Sequence, residues 1–384
     1  MRELMRLSGA DVPALLSALR SALDGAGPAV LPYEEPAPAA GRGPVAEVGP
    51  EIALVIETSG STGAPKRVGL SAAALVASAE ASADAVGGRG QWLLCLPGHY
   101  VAGTNVLVRG IHAGTEPAVM APGHFDAEGF VAAAETMTHA HRYTSIVPVQ
   151  LARLVEAGER SAGIRSALQS FDAMLVGGQA LRPELRARAE DLGVRIVRTY
   201  GSSETSGGCV YDGMPIGATR ARVGAAGVLE LSGPTLASGY LGDPERTASA
   251  FVDDADGARW YRTGDLGEVG PDGRVTVLGR ADNVIISGGE KVLLDAVERH
   301  ARTLPGLGDA VVVAADDAEW GQVPVLVVPR AADASLADIR TSTAAALGRA
   351  AAPARLLVVD EIPHLASGKP DRLGLAQLAA RSGE

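Results

Sequence analysis

Residues 58–71 read TSGSTGAPKRVGLS and directly follow the apolar run IALVIE at 52–57. A buried strand that leads into glycines, hydroxyls and a lysine is typical of a loop that holds phosphate, because glycines let the backbone approach a ligand and hydroxyls donate hydrogen bonds. The stretch does not fit a Walker A loop, because the spacing of Gly60, Gly63 and Lys66 differs from that motif. In addition, Arg67 replaces the final hydroxyl of the motif, and Pro65 opposes a helix start at Lys66. The stretch predicts another kind of phosphate loop, and a mobile surface hairpin is the alternative.

Strand-like and helix-like stretches alternate on the carboxyl side of this loop. Ser71 can cap a helix that ends at about Val86, and four further strand–helix pairs lead to a last strand, VRIVRTYG. This alternation predicts a mainly parallel sheet with helices on both faces. On the amino side, residues 1–23 predict an amphipathic helix, and residues 25–51 predict an irregular lead-in rich in proline and glycine.

The pattern changes at about residue 218. Short strand patterns and a hairpin signal at Pro271, Asp272 and Gly273 predict a β-rich subdomain over residues 218–279. Residues 280–384 then show the strands and helices of a small α+β domain. The predicted fold class is α/β, with a large N-terminal domain (residues 1–279) of mainly parallel sheets flanked by helices and a small C-terminal domain (residues 280–384).

The composition narrows the class of protein. The 384 residues exceed what one hydrophobic core usually organises, so two domains are expected. A net charge of −11 without a block of Lys and Arg argues against nucleic acid as a partner. Cys95 and Cys209, the only cysteines, fit a reducing compartment and support neither a disulfide framework nor a cysteine zinc site. No apolar run approaches the roughly 18 residues of a membrane helix, so no membrane span and a cytoplasmic location are expected.

Five segments, in the same order along the chain, resemble the motifs of the adenylate-forming family, which includes acyl-CoA ligases, peptide-synthetase adenylation domains and luciferases. They are TSGSTGAPK (58–66), VGGQAL (176–181), YGSSETSGG (200–208), YRTGDLG with GRADNVIISGGEKV (261–292) and LASGKPDR (365–372). Each segment alone has a plain structural interpretation, such as a strand end, an exposed hairpin or a solvated lysine. Together they span most of the chain, and the resemblance implies that a hinge joins the two domains.

The resemblance implies a site for ATP and Mg²⁺. Glu204 would hold Mg²⁺ on the phosphates, since a hard carboxylate suits a hard cation. Asp265 would accept hydrogen bonds from both ribose hydroxyls. Lys66, Glu204 and Lys369 would be catalytic, and the implied nucleotide-binding residues are Thr58, Ser59, Gly60, Ser61, Thr62, Gly63, Gly177, Gly178, Gln179, Tyr200, Gly201, Ser202, Ser203, Asp265 and Arg280.

The resemblance also implies two half-reactions at one site. A substrate carboxylate would attack the α-phosphorus of ATP to give an acyl-adenylate and pyrophosphate, and the thiol of coenzyme A would then displace AMP. Lys369 would bridge the carboxylate and the α-phosphate in the first step. The small domain would turn about Asp282 for the second step and present a glycine-rich strand, Ser287, Gly288 and Gly289, to coenzyme A.

Residues 175–217 closely resemble the compact actinobacterial o-succinylbenzoate–CoA ligases of menaquinone biosynthesis, which implies a small carboxylic acid as partner beside ATP and coenzyme A. The implied acyl-pocket residues are His99, Tyr100, Gly103, Ser206 and Gly207. His99 and Tyr100 stand in the reverse of the family's order, and a buried structural histidine is the alternative for His99. The open alternatives for function are another aryl- or acyl-CoA ligase, a stand-alone adenylation enzyme that loads a carrier protein, and a non-catalytic nucleotide-binding module. A homodimer is a further possibility.

We expect Lys369→Ala to slow adenylation on the order of a hundred- to a thousandfold. Two unit charges about 4 Å apart interact by about 4 kcal/mol at an effective dielectric near 20, and about 1.4 kcal/mol corresponds to tenfold in rate. The variant should still convert a supplied acyl-adenylate to the thioester. Pyrophosphate release and thioester formation, measured separately, check this, and an equal loss of both half-reactions would contradict it.

Overall fold

The computed structural model describes residues 1–34, 47–58, 65–330, 332, 334–364 and 369–381. The chain divides into two compact units. Unit 1 comprises Met1–Arg222, Glu230–Arg262 and Gly270–Val275, and unit 2 comprises Val223–Leu229, Thr263–Val269 and Thr276–Glu384.

The described residues form eleven α-helices: α1 (Val12–Leu23), α2 (Ala72–Val86), α3 (Val101–Ala113), α4 (Ala127–Glu135), α5 (Pro148–Arg160), α6 (Ala162–Gln169), α7 (Pro183–Asp191), α8 (Pro244–Ala250), α9 (Leu294–Ala301), α10 (Leu336–Leu347) and α11 (Arg372–Arg381). The strands are β1 (Arg2–Ser8), β2 (Ala29–Tyr33), β3 (Glu47–Val48), β4 (Ile52–Thr58), β5 (Lys66–Ser71), β6 (Gln91–Leu94), β7 (Ala118–Val119), β8 (Arg142–Ile146), β9 (Ala173–Val176), β10 (Ile196–Ser202), β11 (Gly207–Tyr211), β12 (Met214–Pro215), β13 (Arg220–Val223), β14 (Val228–Ser232), β15 (Gly239–Tyr240), β16 (Phe251–Asp253), β17 (Arg259–Val269), β18 (Val275–Arg280), β19 (Val284–Ser287), β20 (Glu290–Leu293), β21 (Val311–Asp317), β22 (Gly321–Pro329) and β23 (Arg355–Val359).

Unit 1 contains a six-stranded sheet in the order β15-β5-β4-β2-β1-β3. Strands β1, β2 and β4 are parallel, whereas β5 and β15 add antiparallel strands beyond β4. The first five residues of β4 are buried, as the apolar run predicts. Ser71 caps α2 as predicted: its Oγ accepts a hydrogen bond from the backbone N of Ala74 at 3.1 Å.

The second sheet of unit 1 has seven strands in the order β12-β11-β10-β9-β8-β6-β7 and is parallel from β10 to β7. Neighbouring residues of its strands face opposite cores, because side chains alternate along a strand. Leu175 belongs to the core with Leu75 and Leu107 of α2 and α3. Met174 belongs to the core with Phe130 and Leu154 of α4 and α5. The prediction of a mainly parallel sheet covered on both faces is confirmed.

The prediction of a helix over residues 1–23 is wrong for its first third. Residues 2–8 form β1, which pairs with β2 from Leu4 opposite Ala29 to Ser8 opposite Tyr33. Strand β2 itself lies in the stretch expected to be an irregular lead-in. The Arg2 side chain adds hydrogen bonds to the carbonyls of Ala22, Gly27 and Ile52. These partners are distant in sequence, so the local apolar pattern could not indicate the pairing.

Unit 2 contains the sheet β20-β19-β22-β21, with β23 parallel to β22. Leu294 and Ile339, from α9 and α10, belong to one core, and Leu375 of α11 belongs to another. Residues 280–384 thus contain both strands and helices, as their sequence patterns predict. Over residues 218–279 the chain forms β13 to β18 and one short helix, and Gly273 (φ +81°) closes the predicted turn with a hydrogen bond to the Gly270 carbonyl.

Among the described residues, no helix has both the length and the apolar composition that crossing a membrane requires.

We expect Ser71→Ala to lower the free energy of unfolding by about 1 kcal/mol, because it removes the acceptor that satisfies the Ala74 N–H at the start of α2. Ser71→Asp, which keeps an acceptor oxygen, is the control and should stay close to wild type. Urea unfolding followed by circular dichroism measures both variants. Equal stability of Ser71→Ala and Ser71→Asp would contradict the expectation.

Candidate functional site

The predicted site residues fall into two sets, one in each unit. Unit 1 contains Thr58, Lys66, His99, Tyr100, Gly103, Gly177, Gly178, Gln179, Tyr200, Gly201, Ser202, Ser203, Glu204, Ser206 and Gly207, and unit 2 contains Asp265, Arg280, Asp282, Ser287, Gly288, Gly289 and Lys369. The loop residues Ser59, Gly60, Ser61, Thr62 and Gly63 lie outside the described residues.

The hairpin of β4 and β5 fixes both ends of the glycine-rich loop. Thr58 lies opposite Lys66, and Glu57 lies opposite Arg67, whose Nε donates to Glu57 Oε1 at 2.8 Å. Lys66 Nζ lies 5.5 Å from the centroid of the Tyr240 ring, which is a cation–π contact. Within the described part of the chain, no carboxylate pairs with Lys66, so its charge is available to an anion.

Glu204 lies in a 3₁₀ turn, Ser203–Thr205, between β10 and β11. Only 7% of the residue is exposed, and its Oε1 accepts a hydrogen bond from the Tyr240 hydroxyl at 2.8 Å. Burial, followed by the charge of Glu204, raises the pKa of Tyr240 well above its usual value, so the phenol stays a donor. No Lys, Arg or His among the described residues forms an ion pair with Glu204. A buried carboxylate without a cation is a site that a metal ion can complete.

Ser206 and Gly207 follow this turn in left-handed backbone conformations, with φ +53° and +92°. The Ser206 carbonyl accepts hydrogen bonds from Ser78 Oγ at 2.9 Å and Asn105 Nδ2 at 2.8 Å. The Ser206 hydroxyl donates to the Thr235 carbonyl. These bonds hold a conformation that strains a non-glycine residue. The Ser206 side chain therefore supports the turn, and its place in an acyl pocket stays a prediction.

The remaining residues of unit 1 that were predicted to bind the nucleotide lie where parallel strands end. Gly177 follows β9, and Gly178 has φ +81°. Tyr200 and Gly201 lie near the end of β10, where the register with β11 shifts by a bulge. A Cβ at Gly177 would collide with Thr199 Oγ1, so the glycine permits close packing of the two strand ends. The carboxyl edge of a parallel sheet is where ligands of α/β proteins usually bind.

His99 and Tyr100 lie between β6 and α3, with ring centroids 4.1 Å apart. His99 Nε2 is buried, has no hydrogen-bond partner among the described residues, and lies 3.9 Å from Glu34 Oε2. Burial lowers the pKa of His99 and raises that of Tyr100, so both are neutral near pH 7. The Thr104 hydroxyl donates to the carbonyls of Gly98 and Tyr100 and fixes this segment at the start of α3. Gly103 lies against the Pro97 carbonyl, where a Cβ would collide.

In unit 2 the predicted ribose residues form one ion-pair network. Arg280 Nη1 lies 3.3 Å from Asp265 Oδ1, and Arg280 also pairs with both oxygens of Asp282 at 3.2 Å. The backbone N of Arg280 and Asn283 Nδ2 both donate to Asp295 Oδ2. The predicted hinge residue Asp282 therefore forms an ion pair with Arg280, which is predicted to bind the ribose.

The expected glycine-rich strand at Ser287, Gly288 and Gly289 is a turn. Ser287 ends β19, Glu290 begins β20, and the two glycines between them have φ +56° and +86°. Positive φ at both central residues is the geometry of a two-residue hairpin turn that right-twisted strands favour. Gly288 is confined, since a Cβ there would lie 2.6 Å from the Trp320 ring, whereas Gly289 faces open space.

Lys369 is exposed and directly precedes Pro370, which pairs with His364 in an isolated bridge. The backbone N of Asp371 donates to the Pro363 carbonyl. These bonds fix the chain on the carboxyl side of Lys369.

Three residues of unit 1 were missed: Tyr240, Ser78 and Asn105. Tyr240 reaches Lys66 and Glu204 only because β15 pairs with β5, and Ser78 and Asn105 reach Ser206 from α2 and α3. For Tyr240, nothing in the local sequence indicates these contacts. A serine or asparagine on a buried helix face is the one available signal, because a buried polar group requires a partner.

Comparison with protein families finds two matches in this chain. Residues 13–241 match the family described as AMP-binding enzyme, and residues 296–369 match the AMP-binding enzyme C-terminal domain. The chain is 39% identical over 386 residues to a probable 2-succinylbenzoate–CoA ligase of Mycobacterium tuberculosis, covering 98% of each chain.

Among solved structures, the fold is similar to the o-succinylbenzoate coenzyme A synthetase of Bacillus subtilis in complex with AMP. The TM-score is 0.72 at 25% identity, over 84% of this chain and 69% of the other. The same B. subtilis protein in complex with ATP and magnesium gives a TM-score of 0.73 at 23% identity, over 94% and 82% of the two chains.

We expect Gly207→Ala to destabilise the protein more than Gly87→Ala. Both positions have positive φ, which costs a non-glycine residue about 1–2 kcal/mol, but only at Gly207 does the Cβ collide with another group, Asn105 Nδ2. Asn105→Ala in the Gly207→Ala background should recover part of the loss. The measurement is the free energy of unfolding in urea. Additive losses in the double variant would contradict the clash.

Proposed function

The chain belongs to the family of AMP-binding enzymes, and on that premise we propose that it is an AMP-forming acid–CoA ligase that acts on 2-succinylbenzoate. The observation that carries the proposal is the 39% identity, over 98% of both chains, with a probable 2-succinylbenzoate–CoA ligase. The reaction would join the acid to coenzyme A through an acyl-adenylate, as in menaquinone biosynthesis.

The residues around Glu204 fit a magnesium ion. No group of three or more His, Cys, Asp or Glu side chains in the described residues could hold a metal by itself. Mg²⁺ commonly binds one or two carboxylates together with substrate phosphates. The buried carboxylate of Glu204, which forms no ion pair with any described Lys, Arg or His side chain, suits that mode. The bound ion would neutralise charge on the phosphates of ATP.

The chain's own cations would handle the remaining negative charge. Lys66, fixed at the end of the loop by β5, would bind the β- and γ-phosphates together with the loop hydroxyls. Lys369 would bridge the attacking carboxylate and the α-phosphate. Asp265, already oriented by Arg280 at 3.3 Å, would accept hydrogen bonds from the ribose hydroxyls.

The second half-reaction would need Lys369 to leave and the thiol of coenzyme A to enter. We propose Asp282 as the hinge and the turn at Gly288 and Gly289 as the surface that coenzyme A meets. An exposed turn without side chains lets a ligand approach the backbone closely. The aromatic rings of His99 and Tyr100, whose planes are tilted by 51° to each other, would contact the aromatic acid. The cytoplasmic location and the homodimer remain predictions from the sequence.

We expect thioester formation that depends on both ATP and coenzyme A, with 2-succinylbenzoate used at least tenfold better, in kcat/KM, than benzoate or a medium-chain fatty acid. Preference for another acid of the panel would leave the ligase class intact and overturn the assigned substrate. Adenylation without transfer to free coenzyme A would favour the alternative of a carrier-protein acceptor.

Glu204→Gln, which removes the charge and keeps the shape, should lower adenylation by a hundredfold or more, while the exposed Glu135→Gln should not. ATP-dependent pyrophosphate release reports on both variants. Unchanged adenylation in Glu204→Gln would contradict the magnesium assignment.

A further inference from the structure

Tyr240 contacts two of the side chains proposed to bind magnesium and ATP, although it lies outside the five segments that resemble family motifs. Its hydroxyl donates to Glu204 Oε1 at 2.8 Å, and the face of its ring lies 5.5 Å from Lys66 Nζ. We propose that Tyr240 is a positioning residue. It would hold the Glu204 carboxylate and the Lys66 ammonium group in the positions from which they bind magnesium and the phosphates of ATP. The inference rests on the ATP and magnesium part of the proposed function and is independent of the acid.

The backbone around Tyr240 is rigid. Tyr240 pairs with Val68 of β5, and the backbone N of Leu241 donates to the Arg67 carbonyl at 2.8 Å. The backbone N of Tyr240 donates to Thr247 Oγ1 at 2.9 Å. The residue is 7% exposed, and its ring lies 6.0 Å from that of Phe251. These contacts therefore fix the position of the Tyr240 side chain relative to Lys66 at the start of β5.

The phenol hydroxyl can serve only as a donor to Glu204. The hydroxyl oxygen lies 2.8 Å from Glu204 Oε1, and an ionised carboxylate has no hydrogen to donate, so the phenol is the donor. A hydrogen bond to a charged acceptor is about twice as strong as one between neutral groups. It engages Oε1, and no described residue donates to Oε2. One carboxylate oxygen is thus held by the protein, and the other remains available to a cation.

The ring has a separate task from the hydroxyl. A cation over an aromatic face within about 6 Å of the centroid is attracted by the ring quadrupole without losing its charge. An ion pair with a carboxylate would neutralise Lys66, whereas the Tyr240 ring restrains the ammonium and leaves it cationic. The two contacts can therefore be separated by substitution.

Tyr240→Phe removes the hydroxyl and keeps the ring. We expect the magnesium concentration for half-maximal ATP binding to rise about tenfold, the size of effect that a hydrogen bond to a charged group predicts. ATP affinity at saturating magnesium should be nearly unchanged. Isothermal titration of ATP at a series of magnesium concentrations, without any acid substrate, gives this readout.

Tyr143→Phe is the matched control. Tyr143 is buried in unit 1, and its hydroxyl has no hydrogen-bond partner among the described residues. Its magnesium dependence should equal that of wild type. Thermal unfolding of both variants shows whether a change reflects stability.

Tyr240→Leu removes the ring as well and should weaken ATP binding at saturating magnesium by a further two- to fivefold relative to Tyr240→Phe. In a Lys66→Met background this difference between Phe and Leu should vanish. If Tyr240→Leu does not fold, the magnesium series of Tyr240→Phe decides alone.

Wild-type magnesium dependence in Tyr240→Phe would overturn the inference, as would a loss of ATP affinity that is equal at every magnesium concentration. The magnesium shift with no thioester from any acid would leave the inference standing and overturn the proposed ligase reaction. Thioester formation by wild type with no magnesium shift in Tyr240→Phe would overturn the inference and leave the proposed ligase reaction standing.

Discussion

A carboxylate that is enclosed by protein loses its hydration, and the fold around Glu204 is arranged to compensate for that loss. Burying an ionised group is costly unless hydrogen bonds or a counter-ion replace water. Among the described residues, the Glu204 carboxylate accepts one hydrogen bond, from the Tyr240 hydroxyl, and forms no ion pair. The compensation is only partial, so the site is poised to take up positive charge. In the proposed function, the cation that supplies this charge is the magnesium ion bound with ATP.

The parallel sheet makes such a site possible because it gathers residues that are distant in sequence. The segments after β9 and β10 and the segment between β6 and α3 all follow carboxyl ends of strands in the same parallel sheet. Helices α2 and α3 stabilise the turn that carries Glu204, because Ser78 of α2 and Asn105 of α3 donate hydrogen bonds to the Ser206 carbonyl. Helices that cover the sheet thus also fix the backbone of the turn.

Local signals in the sequence predicted local structure well. The cap at Ser71, the turn at Gly273 and the buried strand β4 each depend on a few neighbouring residues, and each is confirmed. Strand β1 and the contacts of Tyr240 depend on pairing between distant segments, which no local pattern encodes. The roles given to individual residues came from resemblance to a family, since spacing alone left a surface hairpin as an alternative for the loop.

The turn between β19 and β20 carries an evolutionary consequence. Its two glycines share a backbone conformation but not an environment, since one abuts the Trp320 indole and the other faces empty space. Packing alone would therefore let homologous chains vary at Gly289 but not at Gly288, so a glycine retained at position 289 would indicate the close approach of a ligand. Asparagine and aspartate, which tolerate left-handed backbone, can replace Gly289, whereas substitution of Gly288 requires a smaller neighbour in place of the tryptophan.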